Sequence, residues 1–182
     1  GHTRRSKSFL AREAITAYHR RFVQTARNDV RSHRDRAWVF RAPGDPARTA
    51  RFIDLLNRHD IAVHQLARDI RAGGQAFPAA DSYIVSGDQD QHRMIRSIFD
   101  RPTQIEEHIF YDVSGWTSPL AYDLEHAPLS AGAFNASLVG DLADPGLAAP
   151  EAPVRARYAY VLDWADSRTA SALYDILDAG LL

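Results

Sequence analysis

Short apolar runs that alternate with segments of helical periodicity constrain the fold of this chain more than any other feature. Each run is too short for a buried helix and is typical of a strand that is covered on both faces. The segments that follow the runs carry apolar residues at helical spacing. The alternation predicts an α/β fold with an open, mostly parallel sheet and helices on both faces. The predicted strands are 37–40, 61–64, 82–85 and 158–162.

The first strand–helix–strand unit has the clearest boundaries. Asp45 is a residue type favoured at a helix N-cap, and Pro46 suits the first helical turn. The predicted helix continues to about His59, and the second strand follows it directly. Two strands joined by one helix are expected to form a parallel pair with a right-handed crossover.

Charge divides the chain into two chemically distinct parts. Residues 1–36 carry a balance of +7, whereas residues 37–182 carry −8. We therefore expect a basic amphipathic linker helix within 1–36, spanning roughly 8–33, and an α/β domain over 37–182. The predicted helix has an apolar side and a basic stripe. The apolar residues are Ile15, Tyr18, Phe22, Ala26 and Val30, and the stripe is Arg20, Arg27, Arg31 and Arg34.

The basic stripe has two interpretations. It could contact a phosphate backbone or an acidic membrane surface. It could instead be a solvated face, or a face toward an acidic neighbouring domain. The second interpretation is favoured because no nucleic-acid motif and no interleaved aromatic residues accompany the stripe. We therefore expect neither nucleic acid nor membrane as a partner.

The two ends of the chain suggest a segment of a longer protein. A leading glycine, Gly1, is typical of the residue that remains after an expression tag is cleaved. The last predicted helix stops at Gly180, and the strand expected to follow it is essentially missing. The expectation is an α/β domain that lacks its C-terminal part.

Catalytic constellations are largely absent from the sequence. The chain has no cysteine, which excludes disulfides, thiol nucleophiles and cysteine-ligated metals. No His-Glu-x-x-His motif, phosphate loop or dinucleotide fingerprint is present. Ser114 does not lie in a hydrolase elbow, because Asp112 and Trp116 stand where glycines are required. No catalytic residue is predicted.

Two places nevertheless carry residues that could bind a ligand. The densest set of metal-ligand types is Glu106, Glu107, His108 and Asp112, which is either a metal site or a solvated helix end. His64 ends a predicted strand, where ligands bind in open α/β sheets. A structural role for His64 is the alternative.

Three stretches resemble a known family. Residues 77–93, residues 111–122 and residues 158–180 are similar to the region after the peptidase domain in some bacterial zinc carboxypeptidases of the carboxypeptidase A-like family. The first stretch matches a strand followed by a "dQpqhR" motif, and the second matches a "YDvsaWTlPla" block. The motif residues are Tyr83, Gln89, Arg93, Asp112, Trp116, Thr117 and Pro119.

The resemblance implies a non-catalytic accessory domain. In that family an upstream domain holds zinc through a His-x-x-Glu pair and a distant His, none of which matches this chain. Zinc would thus be the parent's cofactor, and this segment would hold none. The upstream domain would be the partner, a homodimer is a further option, and the location would be periplasmic or secreted. The implied fold is flavodoxin-like, of the class I glutamine amidotransferase-like type, without that family's cysteine nucleophile.

Two other function classes stay open from the sequence. One is an independent α/β module that binds a small molecule or carbohydrate at the carboxyl ends of its strands. The other is a nucleic-acid-binding module that uses the arginine stripe.

Overall fold

The computed structural model describes residues 7–100, 117–146 and 154–181, and within them five α-helices and seven strands are found. The helices are α1 (Lys7–Ser32), α2 (Pro46–Asn57), α3 (His92–Phe99), α4 (Ser118–Ala121) and α5 (Thr169–Asp178). The strands are β1 (Asp35–Arg41), β2 (His64–Leu66), β3 (Ile70–Ala72), β4 (Gln75–Phe77), β5 (Tyr83–Ser86), β6 (Glu125–Ser130) and β7 (Val139–Leu142). A 3₁₀ turn spans Ala136–Leu138.

The main sheet is antiparallel and has the strand order β6-β1-β5-β2-β7. Strand β1 pairs with β5 and β6, and β2 pairs with β5 and β7, all in antiparallel register. The predicted parallel, flavodoxin-like sheet is therefore wrong. The strand–helix–strand unit exists, but β5 lies between β1 and β2, so these two strands do not pair. Alternation of strands and helices along a sequence does not reveal such an insertion.

The order of the elements defines the topology. Strands β1, β2, β5 and β6, with α2 and α3, form a β-α-β-β-α-β unit with the spatial order 4-1-3-2. This is the split β-α-β arrangement of ferredoxin-like folds. The chain adds β7 beside β2, and it inserts the β3–β4 hairpin between β2 and β5.

Both central helices pack on the same face of the sheet, in contrast to the predicted helices on two faces. Trp38 and Phe40 of β1 contact α2 through Phe52 and α3 through Phe99. The opposite face is covered by the β3–β4 hairpin and the segment before β7. Its buried residues are Ala37, Val39, Leu66, Phe77, Ile84, Ala127, Leu129 and Leu138.

Several predicted boundaries shift in the structure. Ile61 and Val63 are buried, yet strand pairing begins only at His64. The predicted strand 158–162 is wrong, because this segment is irregular and its side chains are exposed. Strands β6 and β7 were not predicted from the sequence. Strand β6 contains Pro128. Proline is compatible with an edge strand, but in a sequence it argues against a strand.

The long N-terminal helix is confirmed as α1. It leaves large apolar side chains at the surface, including Ile15 at 69% and Tyr18 at 73% exposure. The C-terminal half of the helix contacts α3. There Asp29 forms an ion pair with Arg93 of α3, and the Arg93 guanidinium lies 5.0 Å from the centre of the Phe22 ring.

Candidate functional site

Gln89, a motif residue in the turn between β5 and α3, forms hydrogen bonds to backbone groups with its side chain. The Gln89 amide accepts a hydrogen bond from Ala62 N at 2.7 Å and donates to Ala62 O at 3.0 Å and to Ser86 O at 2.9 Å. Gln89 thereby satisfies both backbone groups of Ala62, while the neighbouring Val63 carbonyl accepts a hydrogen bond from Ala143 N at 2.8 Å. The backbone of Ala62 therefore has hydrogen-bond partners although it does not pair with a strand.

Tyr83 and Arg93 also make structural contacts. The Tyr83 ring stacks on Phe40 with 5.9 Å between centroids. Burial, followed by the charge of Asp81, raises the pKa of the Tyr83 hydroxyl above its ordinary value of 10.0. Arg93 connects α3 to α1 through Asp29.

The last two described motif residues lie around α4. The Thr117 hydroxyl donates to the Asp100 carbonyl at 3.0 Å, which fixes the end of α3, and Pro119 is buried in the first turn of α4. The other motif residues, Asp112 and Trp116, lie outside the described residues.

His64 is the first residue of β2, between β5 and β7, whereas the sequence predicted that it ends a strand. Its Nδ1 is 3.1 Å from the Gly140 carbonyl of β7, and the residue is half-buried. The close approach of β7 depends on glycine, since a Cβ at Gly140 would lie 2.8 Å from Gln65 O. His64 thus helps to join β2 to β7.

The possible metal ligands Glu106, Glu107, His108 and Asp112 also lie outside the described residues. Within 7–100, 117–146 and 154–181, no group of three or more His, Asp or Glu side chains could hold a metal ion. In those same ranges, no helix has both the length and the apolar character that crossing a bilayer requires.

The most unusual polar group in the described structure is His92, the first residue of α3. The side chain is 1% exposed, and Nδ1 lies 3.0 Å from the Gly87 carbonyl. A carbonyl only accepts, so Nδ1 carries the proton of the neutral ring and Nε2 keeps its lone pair. Nε2 is buried and has no hydrogen-bond partner. The sequence places His92 on the same helical face as Ile95 and Phe99, which is the signal that it enters the core.

His92 belongs to a cluster at the junction of α1, β1 and α3. The ring of His33, which follows α1, meets His92 edge-on at 6.0 Å and lies 6.1 Å from the Trp38 ring. The His33 Nε2 atom is 3.6 Å from a carboxylate oxygen of Asp100, and Arg96 donates to that same carboxylate at 3.1 Å. We call His33, His92, Arg96 and Asp100 the junction cluster.

Burial lowers the pKa of His92 below its ordinary value of 6.5. The hydrogen bond to Gly87 and the charge of Asp29 act in the opposite direction, while Arg96 and His33 reinforce the lowering. The neutral ring is therefore the stable form in the folded protein near neutral pH.

A second polar network surrounds the start of α2. The Asp45 carboxylate is 1% exposed and accepts from Arg48 N and from Ser167 N, both at 2.8 Å. It also forms an ion pair with the Arg48 guanidinium at 3.0 Å. The predicted N-cap is confirmed, and in addition Asp45 fastens the segment before α5 to the body.

The polar side chains at the start of α2 and at the junction thus have structural partners, apart from Nε2 of His92. The fold and these contacts define a ferredoxin-like α/β domain with a projecting N-terminal helix. No family model, no curated protein and no solved structure matches the chain.

Proposed function

We propose that this chain is a non-catalytic accessory domain of a zinc carboxypeptidase-like protein, in which another segment supplies the zinc and the peptide hydrolysis. The observation that carries the proposal is the use of the motif residues. Gln89 binds backbone, Arg93 binds α1, and Thr117 closes the end of α3. Side chains engaged in this way support structure, and they are not free to act on a substrate.

The surface of α1 supports the same proposal. Ile15, Tyr18 and Phe22 lie on one side of the helix and are exposed, which is costly for an isolated helix in water. Arg20 is exposed on the opposite side. The apolar side is suited to pack against a neighbouring domain while the basic side stays in solvent. The upstream catalytic domain is the partner that we propose.

Residues 158–181 offer a second contact surface. Tyr158, Val161 and Trp164 are large hydrophobic residues, yet they are exposed by 87%, 95% and 72%. The segment is attached to the body through Ser167 N, which donates to the Asp45 carboxylate at 2.8 Å, and through Ala165 O, which accepts from the Arg48 guanidinium at 3.2 Å. Exposed apolar surface next to a fixed anchor is typical of an interdomain contact.

The test begins with the reading frame that contains this sequence. A His-x-x-Glu motif upstream is expected, and the longer protein should bind about one zinc ion and release C-terminal amino acids from peptides. The 182-residue chain alone should do neither after dialysis. Tightly bound zinc in the isolated chain, or peptide release by it, would overturn the proposal. So would a longer protein without the zinc motif.

A matched pair of variants tests the contact surface. Tyr18→Glu introduces a charge on the apolar side of α1, whereas Gln24→Glu introduces the same charge on the opposite side. In the longer protein, Tyr18→Glu should weaken packing of α1 and make residues 1–36 more susceptible to protease. Gln24→Glu should not change the susceptibility. Equal susceptibility of both variants would contradict a packed apolar side.

A further inference from the structure

We propose that His92 is a proton-sensitive latch for α1, so that a proton on its Nε2 atom weakens the junction between α1, β1 and α3 and releases the base of the helix. The device goes beyond the accessory role proposed above, and it does not depend on a partner. Its basis is geometric, because the His92 ring is buried beside His33, which joins α1 to β1, and its Nε2 atom has no hydrogen-bond partner.

The first step concerns what a proton on Nε2 would encounter. Nδ1 already donates to Gly87 O, so protonation must place the new N–H on Nε2, which has no acceptor. A buried charged donor without a partner is strongly unfavourable. The docked arrangement therefore disfavours the charged ring.

The second step concerns the charges around the ring from each element packed against it. On α3 the Arg93 and Arg96 guanidinium groups are positive, and Asp100 follows the helix. On α1 the Asp29 carboxylate is negative, but it is engaged with Arg93 at 2.9 Å. His33 joins α1 to β1 and faces His92 directly, while Asp100 is shared by His33 and Arg96. Asp29 and Asp100 are thus already paired when His92 receives its proton.

The third step is the element that moves. In its described contacts with α3, helix α1 uses Phe22 and Asp29, which both meet the Arg93 guanidinium. Releasing its base would expose the junction cluster and let water solvate the charged His92 ring. Because a proton binds the released form better than the docked form, acid favours release.

The sign of the effect follows from the direction of the pKa. The pKa of His92 is lowered in the docked form and returns toward 6.5 when water reaches the ring. Docking is therefore at full strength above pH 6.5 and weakens as the pH falls below that value. One proton changes the equilibrium by at most about tenfold per pH unit.

Hydrogen exchange read by mass spectrometry tests the latch on the whole chain. Protection of residues 23–33, corrected for intrinsic exchange, should fall at least about fivefold between about pH 7.5 and about pH 5.5. Protection of β1 and β5 should stay constant, which separates release of the helix from global unfolding. A pH-independent protection of 23–33 in the wild-type chain would overturn the proposal.

Variants identify the group responsible. His92→Asn keeps an N–H that can donate to Gly87 O but does not titrate, and it should abolish the pH dependence. His59→Asn, a change at an exposed histidine after α2, should leave it intact. If His92→Asn does not fold, His33→Gln is the second test. It replaces the ring that packs edge-on against His92, and it should reduce the pH dependence. A variant of His92 or His33 that folds and keeps the wild-type pH dependence would refute the latch.

Discussion

At the scale of single residues, Asp45 shows how one side chain can serve two distant segments. It caps α2 through Arg48 N, and it holds residue 167 through that residue's backbone N–H. Burial alone would raise the pKa of Asp45, but these hydrogen bonds and the Arg48 charge outweigh it. The pKa accordingly lies below its ordinary value of 3.8. The stability that Asp45 contributes is present above pH 3.8 and is lost as the pH falls through the lower, folded-state pKa.

We expect Asp45→Ala to lower the free energy of unfolding by about 2–4 kcal/mol, since it removes a cap and leaves buried donors unpaired. Urea denaturation monitored by circular dichroism measures the change. Asp54→Ala on the same helix is the control. It breaks a more exposed pair with Arg58, which is worth at most about 1 kcal/mol. Similar losses in the two variants would contradict the role assigned to Asp45.

At the scale of elements, β7 depends on a close contact of backbones. Strand β7 pairs with β2, and at Gly140 a Cβ would come within 2.8 Å of Gln65 O and 3.6 Å of the Ala67 Cα. Backbone atoms cannot move aside as a flexible side chain can. The strands must separate locally if residue 140 is larger.

Gly140→Ala should therefore destabilise the β2–β7 pair by about 1–3 kcal/mol, the usual range for overpacking. The effect is expected as faster amide exchange in 139–142 and a lower melting temperature. Gly132→Ala is the matched control, because a Cβ there meets nothing within 4 Å. An unchanged exchange rate in 139–142 would show that β7 tolerates the larger residue.

At the scale of the whole molecule, the basic N-terminal part and the acidic remainder nearly cancel, and the net charge is −1. A nucleic acid that approaches the arginines of α1 also meets the negative field of the body. We expect duplex DNA or RNA to bind more weakly than micromolar at about 0.15 M salt. Fluorescence anisotropy across a salt series measures this.

The comparison variants for this prediction carry equal charge changes. Arg20→Gln with Arg34→Gln removes two positive charges from the predicted stripe, and Arg58→Gln with Arg71→Gln removes two from the exposed surface of the body. At low salt, the two double variants should bind nucleic acid with similar, weak affinities. Micromolar binding at about 0.15 M salt that only the first pair abolishes would favour a nucleic-acid-binding module instead.

The sequence by itself determined the local elements. Helical periodicity predicted α1, and the pair Asp45-Pro46 predicted where α2 begins; both predictions are confirmed. The run 37–40 predicted a buried strand, and Ala37, Trp38, Val39 and Phe40 are all buried in β1. These features depend on residues within a few positions of one another, so they can be predicted from short stretches of the sequence.

Only the tertiary structure decided which strands pair and which polar groups meet. The sequence contains the β1–α2–β2 unit, but the insertion of β5 between the two strands depends on contacts between residues far apart in the chain. The same holds for the junction cluster, where His33 and His92 meet across 59 positions of sequence. The run 158–162 has the composition of a strand and remains unpaired, because strand formation requires a neighbouring backbone that the described part of the chain does not place beside it.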